Sequence, residues 1–169
     1  CHNLREKRHK VFKKKTKKGK TSTGWFFWFK LHFIFNTYGE IVRMQITGGN
    51  IDDRSPVMTL VKDISAKLIG DKGYISKKLS AELFNQNVTL ITKIKKKMKN
   101  CLMDMIDKMM LMKRSFIETI FSSIKLLGTL IHHRHRSPVN AFTHLFAGLI
   151  SYQIRDDKPS LHQLLKLNP

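Results

Sequence analysis

The chain reads as an α/β protein on three observations. An aromatic stretch over residues 25–35 is followed, across turn-forming residues, by the alternating segment 41–46. Two short apolar runs, residues 66–69 and 88–94, flank a helical stretch in the manner of a strand–helix–strand unit. From Leu102 onward the apolar residues recur at helical spacing.

The 169 residues suit one domain and can bury a core, and the 41% hydrophobic content with eleven Phe argues against a disordered chain. Thirty-two Lys and Arg against twelve Asp and Glu leave a formal charge of +20, with a pI near 10.2. Such an excess points to a polyanion, because counterions released from a phosphate backbone drive binding. An anionic membrane would ask for a basic amphipathic helix, and no clean one is present. No apolar run reaches the roughly 18 residues of a membrane span, and the start lacks an apolar signal core. Cys1 and Cys101 form neither a disulfide framework nor a metal pattern, so a cytosolic chain is expected. Cys1 stands where Met would start a complete protein, so a chain shortened at its N-terminus is expected.

Residues 1–20 hold ten Lys and Arg and one acid, Glu6. Lys13, Lys14, Lys15, Lys17 and Lys18 belong to a run with little to bury, expected as a loop or arm that contacts phosphate or stays solvated. Gly19-Lys20-Thr21 falls short of a phosphate-binding P-loop, which needs Gly where Lys14 stands. The aromatic strand contains Lys30 and His32 at alternate positions and reads as core rather than as a base-stacking platform. Asn36-Thr37-Tyr38-Gly39-Glu40 is turn chemistry, so a hairpin joins it to residues 41–46. Asp52 or Asp53 is placed to cap a helix over about residues 55–64, with Pro56 near its first turn.

The run 66–69 stops at Gly70, Asp71 follows at the tip, and Gly73 is expected to let the backbone turn sharply. In open α/β sheets ligands gather at that end of the strands. Alone, these residues describe no more than a turn with a solvated Asp. A short helix (about 76–85) and a β-branched strand (88–94) come next, feeding the basic segment 95–99. One long helix from Leu102 is expected to bury Leu102, Met105, Ile106 and Met109, then Ile117, Ile120, Phe121 and Ile124, with the Met residues as core filler. Within it Arg114, Glu118 and Lys125, four and seven residues apart, share one side; an ordinary surface ion pair would look the same. His132, His133 and His135 alternate with arginines, which favours a phosphate-facing loop over a metal site. The last helix covers about 138–154, and the segment from Arg155 reads as peripheral.

The succession of hairpin, strand, helix, strand and helical C-terminal part resembles the ribonuclease-H-like core. Residues 47–54 (Thr-Gly-Gly-Asn-Ile-Asp-Asp-Arg), Gly70-Asp71-Lys72-Gly73-Tyr74, and Arg114, Glu118 and Lys125 together look like the signature blocks of DDE transposases of bacterial insertion sequences. The likeness covers residues 1 to about 161. It implies a mixed sheet flanked by helices with its first strand missing: a basic arm or loop (1–24), a catalytic domain (25–155) and a tail (156–169).

The resemblance implies that Asp71 and Glu118 are the second and third acids of a metal-binding triad, holding two Mg²⁺ ions, or Mn²⁺, in the complete site. Arg114, Lys125, Lys72 and the lysines of the arm then face DNA, both transposon ends and target. It also implies a homodimer or larger complex on DNA, no membrane, and a cytoplasmic, nucleoid-associated place in a bacterium. Two departures stand out. Leu111 occupies a position where the family often has Tyr, and no Asp precedes the hairpin, where Glu6 is the only acid before Glu40. The first catalytic Asp is thus expected to be absent and the 169-residue chain inactive. A non-catalytic nucleic-acid-binding module and a decayed transposon relic are the alternatives.

Overall fold

The computed structural model describes residues 17–21, 24–94, 102–113, 115–127, 135 and 137–161. The chain divides into two compact units: Cys1–Ile51 with Phe116–Pro169, and Asp52–Ser115 between them in sequence. Both α and β elements are present, so the α/β class holds. The described strands form two small sheets, one antiparallel and one parallel, where a single mixed sheet was expected.

In the first unit β1 (Lys17–Thr21) pairs with β2 (Gly24–Phe35), which pairs in turn with β3 (Ile41–Gly48), all antiparallel. The β1 residues were expected in a loop. Their Lys-rich composition has little strand preference of its own, and the ladder to β2, Lys17 opposite Trp28 through Thr21 opposite Gly24, supplies what composition lacks. His32 is buried, its Nε2 2.7 Å from Thr47 Oγ1 on the neighbouring strand.

One face of β2 carries Phe29, Phe33 and Phe35. Phe33 and Phe35 meet Phe121 of α4 (Ser115–Leu127) at centroid distances of 5.9 and 5.8 Å, both edge-on. Phe29 meets Phe142 of α5 (Pro138–Gln153) at 5.3 Å. Phe116, Ile120 and Ile124 form the buried stripe of α4, whereas Ile117 and Phe121, expected in it, are half-buried.

The hairpin turn is tied to the end of the chain. Tyr152 donates its hydroxyl to the Gly39 carbonyl at 2.6 Å, the Ile41 amide donates to Gln153 Oε1 at 2.9 Å, and the Leu161 amide donates to the Thr37 carbonyl at 2.8 Å. Gly39 has φ +79°, and a Cβ there would lie 2.1 Å from the Pro159 carbonyl oxygen. The segment after Arg155, expected to be peripheral, therefore packs on the turn, and Leu161 is buried. Turn polarity at residues 36–40 hid the need of its backbone groups for partners from elsewhere.

In the second unit β4 (Lys67–Gly70) and β5 (Thr89–Thr92) are parallel and joined through α2 (Lys77–Asn85). Ser76 caps α2, accepting from the Leu79 amide at 3.4 Å. Val57, Leu60, Val61, Leu79, Leu83, Val88, Ile91 and Leu111 are its buried apolar residues. The helix expected over residues 55–64 is a single turn, α1 (Val57–Leu60). It ends at Leu60, and Asp63, three residues further on, stands in the left-handed region at φ +62°. Asp52 does not cap α1: its carboxylate takes the Arg54 backbone amide (2.9 Å) and the guanidinium (2.9 and 2.6 Å), a local turn that competes with capping.

The expected long helix is two, α3 (Met105–Met112) and α4. The stripe expected to be buried on α3 is exposed, Leu102, Met105, Ile106 and Met109 alike. The side of α3 that is covered holds Leu111 and Asp107, the latter paired with Lys67 at 2.8 Å. Periodicity finds an apolar stripe but not the surface that meets it.

Candidate active site

Asp71 stands where β4 ends, one residue past Gly70, and is exposed. Its carboxylate accepts from the Lys72 amide at 2.6 Å, and its carbonyl accepts from the Tyr74 amide at 3.0 Å. Asp71 thus caps a single 3₁₀ turn, Lys72–Tyr74. The turn needs no glycine conformation. Among the described residues only Gly39 is a glycine at positive φ, so the sharp bend expected of Gly73 is an ordinary right-handed turn. Gly73 faces open space, and Lys72 is exposed beside Asp71.

Tyr74, quoted in its block but given no role from sequence, is the neighbour that sequence reasoning missed. Burial pushes its phenol above the ordinary value, and Asp53, Asp71 and Asp52 each add to the rise. Three carboxylates therefore lie within electrostatic reach of one half-buried hydroxyl. The signal was the Asp-to-Tyr spacing of three, which one 3₁₀ turn brings onto the same side.

Glu118 belongs to the first turn of α4, where the helix dipole favours an anion. It is exposed, as are Ser122 and Lys125, four and seven residues on, opposite the stripe of Phe116, Ile120 and Ile124. The shared side expected of Glu118 and Lys125 is thus present. Asp71 and Glu118 come one from each compact unit. Arg114, Lys13, Lys14 and Lys15 lie outside the described residues, as do the basic segment 95–99, His132 and His133; Lys17 and Lys18 are described in backbone only. His135, expected in a phosphate-facing loop, has its Nε2 2.9 Å from His144 Nδ1 on α5.

Exposed carboxylate oxygens at Asp71 and Glu118 are hard donors of the kind Mg²⁺ takes. Among the described residues, however, no group of three or more His, Cys, Asp or Glu side chains is placed to hold a metal ion. The donor type fits.

Fold and site define an α/β protein with one carboxylate at the tip of a parallel strand and another on the polar side of an amphipathic helix. Residues 1–138 match the family model of the transposase DDE domain, and the chain belongs to that family. No curated protein and no solved structure matches it. Transposases act on DNA, in keeping with the charge of +20. None of the described helices is long and apolar enough to cross a membrane.

Proposed function

We propose that this chain is the ribonuclease-H-like catalytic part of an insertion-sequence transposase, with Asp71 and Glu118 as the second and third acids of its triad. The family match carries the reading, since it spans both acids and the strand, turn and helix that hold them. Asp71 is braced through its Lys72 amide contact, and Glu118 is fixed by a helix whose opposite stripe is buried. Lys72 and Lys125 hold the DNA backbone beside these acids and offset its repulsion from them. Mg²⁺, or Mn²⁺ in its place, supplies charge stabilisation at the attacking and leaving oxygens when bound. Cytoplasm and nucleoid are where such a protein meets its substrate. With Glu6 the only acid before Glu40, the 169-residue chain is expected to bind DNA and to leave strands uncut in Mg²⁺.

Metal-directed backbone cutting tests the assignment on this chain. With Fe²⁺ and peroxide, cuts are expected next to residues 71 and 118, suppressed by excess Mg²⁺. Asp71→Asn should abolish the cuts while leaving DNA retardation on gels unchanged. A second reading, a basic DNA-binding module without catalysis, draws on the charge of +20. DNA binding without cuts at either acid, or cuts that survive Asp71→Asn, would establish it over the first.

A further inference from the structure

Two histidines meet beside the first turns of α5. His144 Nδ1 lies 2.9 Å from His135 Nε2, with ring centroids 4.9 Å apart and ring planes at 66°. The start of the helix brings them together. His144 stands seven residues after the N-cap, Ser137, and so shares its side of the helix. Helical side chains lean toward the N-terminus, and Ser137 is extended (φ −128°, ψ 140°), which sets the preceding chain alongside. The helix itself is held: Phe142 packs on Phe29 of β2, and Tyr152 is tied to the hairpin turn. One of the two imidazoles is therefore positioned by the core of its unit. Both residues are half-buried, so water reaches the pair.

We propose that His135 and His144 form a chelating site for a divalent transition cation that takes imidazole nitrogens at right angles, Ni²⁺ or Cu²⁺. The separation of the nitrogens carries the inference. At metal–nitrogen distances of about 2.0–2.1 Å, nitrogens 2.9 Å apart subtend about 90° at the metal. Square-planar and octahedral sites have that angle. A tetrahedral cation such as Zn²⁺ asks for about 109°, with nitrogens roughly 3.4 Å apart. Chelation needs both facing nitrogens bare, so the donor ring moves its proton to its other nitrogen. One hydrogen bond is thereby exchanged for two metal bonds. None of the sixteen residues of α5 is Lys or Arg, so no cation of the helix opposes the metal. Water completes the coordination, and with two protein ligands dissociation on the order of 10–100 μM is expected. Mg²⁺, which takes oxygen ligands, does not compete here, and the inference is independent of the proposed chemistry. Sequence set His135 among arginines and gave it phosphate; His144, which changes that reading, comes nine residues later.

Nuclear magnetic resonance of the nuclease-treated full chain tests it, with Ni²⁺ alone as the probe at about pH 7.5, where imidazole is neutral. Octahedral Ni²⁺ is paramagnetic and quenches the ring signals of histidines that bind it. At about 100 μM Ni²⁺ the ring signals of His135 and His144 should lose roughly half or more of their intensity, ahead of buried His32. His135→Ala should raise the Ni²⁺ needed to quench His144 roughly ten-fold or more, and His144→Ala should do the same at His135. Excess Mg²⁺ should change neither signal. Circular dichroism checks the fold of each variant, and either variant serves if the other unfolds. Signals of both rings that persist to about 1 mM Ni²⁺, far above the expected midpoint, overturn the proposal. So does quenching that survives loss of the partner ring, which marks a single imidazole or a metal held elsewhere. Recovery of the signals in excess Mg²⁺ would put the metal on carboxylates and overturn it as well.

Discussion

The two compact units are held by different means. Asp52–Ser115 is one continuous stretch in which β4, α2 and β5 meet close neighbours in sequence. The other unit is built from the two ends of the chain, and its ties are long: Tyr152 reaches Gly39 across 113 residues, and Gln153 reaches Ile41 across 112. The continuous unit relies on buried aliphatic side chains, and each of its described ion pairs has at least one exposed partner and is worth little. The discontinuous unit adds a few directed hydrogen bonds and ring contacts to its apolar core. Local packing tolerates gradual loss, whereas long ties fail one at a time with large consequences.

The largest expected effect is at Gly39. Gly39→Ala puts a Cβ against the Pro159 carbonyl on backbone that L side chains rarely adopt, and should cost about 3 kcal/mol or more. Hydrogen exchange should then show β2, β3 and α5 losing protection while β4, α2 and β5 keep theirs. Leu83, fully buried, supplies the converse: Leu83→Ala should cost about 2–4 kcal/mol and expose amides of the continuous unit alone. Equal loss in both units from either variant would erase the distinction.

A smaller effect sharpens it. Tyr152→Phe leaves the Gly39 carbonyl without its partner, at about 1–2 kcal/mol in urea unfolding. Burial also pushes the Tyr152 phenol from about 10 up to about 12. The folded state holds that proton more tightly than the unfolded one, so the contribution is complete below pH 10 and lost as pH rises from 10 to about 12. Exchange protection of the hairpin should fall over that window in the parent chain and fall less in Tyr152→Phe.

Much of this was legible before any coordinates. The hairpin announced itself by aromatics around Asn36–Glu40, and β4 by an apolar run stopped at Gly70. Such signals are local, and local signals survive in a single sequence. What stayed hidden depended on partners far along the chain. Lys17–Thr21 is a strand because β2 lies beside it, and Pro159 and Leu161 matter because the turn at residues 37–39 receives them. The apolar stripe of α3 was visible, but the side it turns to solvent was not. At the candidate site, Asp71 and Glu118 could be picked out by spacing and resemblance. The grouping of Asp52, Asp53 and Asp71 around Tyr74 could not, because it joins the loop before α1 to the end of β4.

The tie between Tyr152 and Gly39 also bears on how a ribosome delivers this protein. At about 5–20 residues per second, Tyr152 is translated roughly 6–23 s after Gly39. The hairpin's phenylalanines wait through that interval for α4 and α5 to cover them, while the continuous unit is complete in sequence at Ser115, before α5 is made. A nascent chain of this design invites a chaperone at the hairpin during the wait.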